Sequence, residues 1–297
     1  MEAPLVSVVL PTFDRLELVR AAVASVLAQT LENWELIVSD DGSAEETRNF
    51  LRGLQDPRVC VVFGNHTGVP AVVRNRAIAR ARGRYVAFLD SDDLWKPEKL
   101  TRQLTLMGAF PARRWSYTAV RRIDVNGNEI HARSVPWVPH SGWILEQVLR
   151  VDAQIATPTV MAELAFLREL GGFDEKMPFT EDYDLWSRMA LHSEAAVDSA
   201  PLTDVRSHAA HFTSDRVGKL GGWASFYAKM EPLVPSRRLR GLCRKRKREY
   251  LLALAAEQAR GRNWAGMRAT IVSAARAGAF QPVGWLRIAR AAAPRSG

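Results

Sequence analysis

The sequence predicts an α/β protein built on a mostly parallel, doubly wound sheet, followed by a smaller helical region. Three observations carry this. Four short apolar runs alternate with helix-period segments within the first 93 residues, the order that parallel strands joined by crossover helices require. Acidic clusters follow the second and fourth runs, at strand ends of the kind where such sheets bind ligands. The charge is also divided: residues 215–297 hold 18 Lys+Arg against 4 Asp+Glu, a net +14, while residues 1–214 carry a net −5.

Val6-Ser7-Val8-Val9-Leu10 is rich in β-branched residues and is expected to form a buried strand stopped by Pro11. Leu16, Val19, Ala22, Val23, Val26 and Leu27 recur at helical spacing. Trp34 to Val38 is the second strand, ending in Ser39-Asp40-Asp41-Gly42-Ser43. A helix through Leu54 follows, with Ser43 as its N-cap and Glu46 three residues on. Val59 to Phe63 is the third strand, and Val69 to Arg82 a helix closed by Gly83. Tyr85 to Leu89 is the fourth, running into Asp90-Ser91-Asp92-Asp93. Asn126-Gly127 marks a hairpin turn. Near the end, Tyr250–Ala259 and Trp264–Ala277 read as a helical pair closed by Gly278, preceded by the basic runs at 237–240 and 244–248. Leu251, Leu252, Leu254, Met267, Ile271 and Val272 are the apolar positions expected to pack this pair onto the rest of the protein.

Cys60 and Cys243 form no CxxC or Cys/His pattern, which argues against a disulfide framework and a structural zinc site. No stretch approaches the roughly 18 apolar residues of a membrane span, and the N-terminal residues lack a signal-peptide pattern. A cytoplasmic protein is the expectation.

Carboxylates beside a nucleotide diphosphate repel it unless a divalent cation stands between them. Mg2+ or Mn2+ takes hard oxygen ligands, one or two carboxylates plus phosphate oxygens, and neutralises charge on a departing diphosphate. Asp90-Ser91-Asp92-Asp93 suits that role. The alternative is that Asp92 or Asp93 caps a helix beginning near Pro97. Asp41 could accept the ring N–H of uracil, thymine or guanine, or be ordinary turn chemistry. Asp182 shares a helix side with Leu185, Trp186 and Met189, in a first turn whose dipole favours its ionised form. That suits a general base for an acceptor hydroxyl, against a purely stabilising N-terminal acid.

Seven segments, in order from about residue 5 to 212, resemble the family 2 glycosyltransferases: Val6 to Arg15, Ser25 to Thr30, Ile37 to Ser43, Arg74 to Ala77, Phe88 to Asp93, Gly172 to Glu175 and Glu181 to Trp186. The resemblance implies a GT-A fold with a mixed sheet, a metal-dependent inverting reaction, and a cofactor of Mn2+ or Mg2+. It implies that Pro11 and Asp41 line the base pocket, that Asp14 and Arg74 belong to the donor site, that Asp92 lies near the ribose, that Asp93 holds the metal and that Asp182 is the base. Val205 to His211 resembles the family's Arg-x-His element, which implies a donor-side role for His208. Residues 1–100 are then the nucleotide-sugar-binding half, 101–212 the acceptor-side half, and 213–297 a basic helical region.

The partners implied are a nucleotide-sugar donor, with uridine the family expectation, and a carbohydrate or lipid-linked acceptor, as in surface polysaccharide or glycoconjugate synthesis. Trp115, Trp137 and Trp143 could shape an acceptor pocket or serve as packing. The basic C-terminal run reads either as attachment to an anionic membrane at its inner face or as a solvated helix face. A nucleic-acid partner is not expected, because basic residues alone do not account for acidic strand ends. A nucleotidyltransferase is disfavoured by the lack of glycine in Pro11-Thr12-Phe13-Asp14-Arg15. A non-catalytic nucleotide-sugar scaffold is disfavoured by the presence of Asp93 and Asp182.

Overall fold

In a computed structural model, described for residues 3–130, 137–207 and 215–278, the chain divides into two units, Met1–Glu175 with Leu185–Ala209, and Lys176–Asp184 with Ala210–Gly297.

The first unit holds β1 (Val6–Thr12), α1 (Leu16–Leu27), β2 (Trp34–Asp40), α2 (Glu45–Arg52), β3 (Val59–Phe63), α3 (Pro70–Ile78), β4 (Tyr85–Phe88), β5 (Leu94–Trp95), α4 (Lys99–Ala109), β6 (Trp115–Ile123), α5 (Leu145–Arg150), β7 (Met161–Glu163), α6 (Leu164–Glu169), most of α7 (Glu181–His192) and β8 (Ala195–Arg206). Their sheet has the order β3-β2-β1-β4-β7-β6-β8-β5. β1 pairs in parallel with β2 and β4, and β2 with β3. β7 runs antiparallel to β4 and β6, and β5 antiparallel to β8, so the sheet is mixed.

Both faces of the central strands are covered, which is why their sequences are continuous apolar runs. Val6, Val8 and Leu10 join Leu36, Val38, Val19, Val23 and Val26 in one core cluster. Among the aromatic contacts, Phe88 meets Phe173 and Trp186, and Trp186 stacks on Trp115. Trp115 is therefore core, whereas Trp137 stands edge-on to Tyr117 and Trp143 is 64% exposed.

Several boundaries differ from expectation. β1 continues through Pro11 to Thr12. Val9 accepts a bond from Leu89 N–H on the β4 side, and odd-numbered residues of β1 face that way. In this register the next donor toward β4 would be residue 11, which as proline has no N–H to give, so ladder pairing with β4 ends at Phe88, opposite Val9. α2 starts at Glu45, and Ser43 does not cap it; the Asp14 carboxylate accepts the Ala44 N–H at 2.6 Å instead. α3 ends at Ile78, short of Arg82. Beyond it, the Arg82 and Gly83 N–H groups bond to the Ser7 hydroxyl, and Glu35 takes the Arg82 N–H and guanidinium. A Cβ on Gly83 would lie 2.7 Å from the Ser7 nitrogen, so the glycine serves close approach and not a helix cap. The hairpin at Asn126-Gly127 is present, with Gly127 at φ +87° and Ile123 bridged to Glu129.

Lys99 opens α4 fully buried, its Nζ 2.6 Å from Gln103 Oε1 and 4.0 Å from the Trp95 ring centre. Burial pushes its amine well below the ordinary lysine range. Between that lowered value and about 10.4 the unfolded chain holds a proton that the folded one does not. The contribution of Lys99 to stability therefore rises with pH across this window. Lys99→Met is expected to flatten the rise of the urea midpoint between about pH 7 and pH 10. An unchanged slope would mean that Lys99 is ionised in the fold.

The second unit contains the first turn of α7 and helices α8 (Arg216–Leu233), α9 (Arg237–Arg260) and α10 (Trp264–Arg276). α9 is longer than expected and includes both basic runs, which do not precede the helical pair but belong to it. Leu252, Met267 and Ile271 pack on Ala255 and Ala256, joining α9 to α10, while Val272 is exposed. Gly278 follows α10 at φ +79°, the left-handed geometry of a closing glycine. Among the described residues no helix is long and apolar enough to cross a membrane.

Candidate active site

The loops after β1, β2, β3 and β4 are tied together by polar contacts at the carboxyl edge of the parallel strands. Asp14, at φ +47°, donates its N–H to the Ser43 hydroxyl and accepts from Ala44, fastening the β1 loop to the β2 loop. Left-handed backbone is tolerated by Asp better than by most residues. Asp41 then holds the turn after β3. Its carboxylate accepts the Thr67 N–H at 3.1 Å, the Thr67 hydroxyl at 2.9 Å and the Gly68 N–H at 2.9 Å. His66 Nδ1 lies 3.0 Å from the Asp41 carbonyl oxygen. Asp41 is thus buried and engaged with the turn after β3. Beside it, the Phe13 ring stacks on His66 at 4.0 Å and is 39% exposed, presenting an aromatic face at the rim.

The acidic turn after β4 is more telling. Asp92 Oδ2 accepts from Arg15 Nη1 at 2.6 Å, and Asp90 Oδ1 from Arg74 Nη2 at 2.7 Å. Asp93 is 5% exposed. Among the described residues, the Arg206 main-chain N–H reaches its Oδ1 at 2.8 Å. The Arg206 side chain is occupied by the carbonyls of Asp92, Asp124 and Val125. Burial first, then the charges of Asp90 and Asp92, hold the Asp93 carboxyl well above the ordinary carboxylate range. α4 has no side-chain cap, so neither Asp92 nor Asp93 serves it. Asp92 and Asp90 are thus each paired with a guanidinium group, and among the described residues no ion pair to Asp93 is formed. Asp93 is a hard oxygen donor of the kind Mg2+ and Mn2+ accept. Among the described residues no three His, Cys, Asp or Glu side chains gather as a closed metal cage.

The residues at this edge match a known family. A family model described as "Glycosyl transferase family 2" matches residues 7–160, slightly more than half the chain. The chain belongs to glycosyltransferase family 2. It is 46% identical over 106 residues to the putative teichuronic acid biosynthesis glycosyltransferase TuaG of Bacillus subtilis, covering 35% of this chain and 42% of that one. It is 39% identical over 107 residues to the Escherichia coli UDP-Glc:alpha-D-GlcNAc-diphosphoundecaprenol beta-1,3-glucosyltransferase WfgD, covering 36% and 42%. The matched stretch thus spans less than half of either relative. The mannosyltransferase PcManGT from Pyrobaculum calidifontis, solved with GDP-Man and Mn2+, shares the fold with a TM-score of 0.63 at 17% identity, over 98% of this chain and 80% of that one. The GT-A-like mixed sheet expected from the family resemblance is therefore present.

Of the site residues read from the sequence, Pro11, Asp14, Asp41, Arg74, Asp92 and Asp93 all lie in this one edge of the first unit. Asp182 stands in the first turn of α7, in the second unit, with its Oδ1 accepting the Tyr183 N–H at 2.7 Å. His208 lies outside the described residues. From the sequence alone no individual role falls to Phe13, Arg15, His66 or Thr67, and Asp90 figures only as part of the acidic turn. Arg15 had a usable signal, a lone cation directly after the β1 loop and opposite in sign to the β4 turn. The Thr67 contact had none, because it joins loops 26 residues apart.

Proposed function

We propose that this family 2 chain transfers a sugar from a nucleotide-diphosphate donor to an acceptor hydroxyl with inversion, in the assembly of a surface polysaccharide or glycoconjugate. The observation that carries the reading is Asp93, buried beside two neutralised carboxylates at the carboxyl edge of the sheet. A divalent cation bound there would offset charge on the diphosphate leaving group. Asp93 would hold it, with Asp92 alongside.

In the reaction itself Asp182 accepts the proton of the acceptor hydroxyl. The acceptor oxygen forms its bond to the anomeric carbon as the bond from that carbon to the diphosphate oxygen breaks, and the electron pair leaves with the diphosphate. Phe13 offers its ring face to the base, and the turn held by Asp41 forms the base pocket wall. Arg15 and Arg74 keep Asp92 and Asp90 from repelling the donor, and His208 contributes on the phosphate side. WfgD supports a UDP-linked donor and a lipid-linked acceptor by its name; PcManGT supports Mn2+ but carries GDP-Man.

Thermal unfolding with UDP, dTDP, GDP, CDP and ADP, each with Mn2+ and again with EDTA, tests the donor site. A ligand at 100 times its Kd adds about 2.7 kcal/mol. Stabilisation is expected only from nucleotides bearing a ring N–H, and only with metal. If none stabilises in the presence of Mn2+, the donor-site assignment is lost.

The exposed Arg237, Arg238, Arg244 and Lys245 of α9 fall at helical spacing on one side. The reading as an anionic-membrane contact, where a lipid-linked acceptor would be met, rests on this stripe, each cation contributing about 1 kcal/mol near such a surface. Cosedimentation with phosphatidylglycerol vesicles, released by high salt, is the expected result; equal recovery with neutral vesicles would exclude it.

A further inference from the structure

Helix α8 lies beyond the stretch that the family model matches, and within the second unit it grips the segment that carries Asp182. A Cβ on Gly222 would stand 2.5 Å from the Pro178 carbonyl oxygen, and one on Gly218 would stand 2.6 Å from the Phe179 ring. The α8 backbone thus presses directly on residues 178–179, where Phe179 takes a left-handed φ of +68°. Thr180 donates its hydroxyl to the Gly222 carbonyl at 3.4 Å. One turn on, Tyr183 packs against Trp223 at 4.9 Å, and Trp223 stacks on Tyr250 of α9 at 5.6 Å. Asp184 is fully buried and paired with Lys229 Nζ at 2.6 Å.

Asp182 therefore precedes two residues, Tyr183 and Asp184, that are each fastened to α8. We propose that α8 is the positioning element for the base: Lys229, acting through Asp184, and Trp223, acting through Tyr183, fix the first turn of α7 so that Asp182 presents one orientation. This rests on the reading of Asp182 as the base. The physical ground is that a buried carboxylate requires a paired cation. Without the Lys229–Asp184 ion pair the turn loses one of its ties to α8, and Asp182 beside it loses its fixed orientation. Small misplacements of a reacting group cost heavily, about 10²-fold for 1 Å.

The test compares Lys229→Met, Lys229→Arg, Asp184→Asn and Asp182→Asn in the full chain. Turnover is followed as nucleoside diphosphate released from UDP-glucose, UDP-GlcNAc and GDP-mannose with a GlcNAc-diphosphate-lipid acceptor. Binding of UDP and GDP with Mn2+ and hydrogen exchange over residues 178–184 are read in parallel. Lys229→Met is expected to lower kcat about 10- to 100-fold, leave nucleotide Kd within about twofold and speed exchange in that segment, with Lys229→Arg restoring both kcat and protection. Asp184→Asn, isosteric and uncharged, should reproduce the kcat loss if Lys229→Met does not fold. Wild-type kcat in Lys229→Met alongside an inactive Asp182→Asn would overturn the role of α8, as would unchanged exchange. Wild-type turnover in Asp182→Asn would instead remove the base assignment itself, so the two failures are distinguishable.

Discussion

Asp182→Asn is expected to lower kcat by about 10²- to 10⁴-fold, the range that a positioned general base supplies. Asn keeps the size of the side chain and its ability to accept the Tyr183 N–H, so Tm should change little. The proposed donor site is made by the loops after β1, β2 and β4 and does not include Asp182, so the thermal shift produced by nucleotide with Mn2+ should also persist. The combination is what matters: kcat falls and nucleotide binding stays. A variant that loses both would point to a structural role for Asp182, and one that keeps full turnover would end its candidacy as base.

The second large effect is expected at Asp93. Replacement by Asn removes the buried carboxylate of this turn, while its Oδ1 can still take the Arg206 N–H. Stabilisation by nucleotide in the presence of Mn2+ should vanish, and kcat/KM should drop by about 10²- to 10³-fold if metal-assisted charge neutralisation supplies several kcal/mol. The ligand-free protein should be no less stable near neutral pH. Its Asp93 charge is opposed by burial and by Asp90 and Asp92, so losing that charge relieves the fold. Retained metal-dependent nucleotide binding in Asp93→Asn would show that the cation is held elsewhere.

Much of the sheet was legible because its strands are buried on both faces and its helices are amphipathic. α1 falls where its periodicity places it, Leu16–Leu27, and β3 likewise, Val59–Phe63. What sequence could not show was decided across loops. Ser43 has the composition of a cap, yet its hydroxyl serves Asp14, and Asp14 takes over the end of α2. α3 looks longer in sequence than in space because Ser7 and Glu35 draw away the N–H groups of Arg82 and Gly83. α8 gave no sequence signal: Gly218, Gly221, Gly222 and Pro232 are poor helix formers. Two of those glycines are there for the close approach to residues 178–179, a need visible only once both segments are placed. In the site, the acidic turn after β4 was legible as a cluster, but not the division of its charges between Arg15, Arg74 and Asp93.

The passage of β1 through Pro11 has a further meaning for the shape of the sheet's rim. β4 stops level with Val9, whereas β1 continues to Thr12 with β2 beside it to Asp40. Three residues of strand are about 10 Å, so the rim is terraced, with a tall bank on one side and a low one on the other. The half-buried proline stands on the β4-facing flank of the tall bank, where a backbone N–H would otherwise point sideways into the step. The acidic turn forms the low ground beside it. The step is made by β4 ending early, and no strand is interrupted to form it.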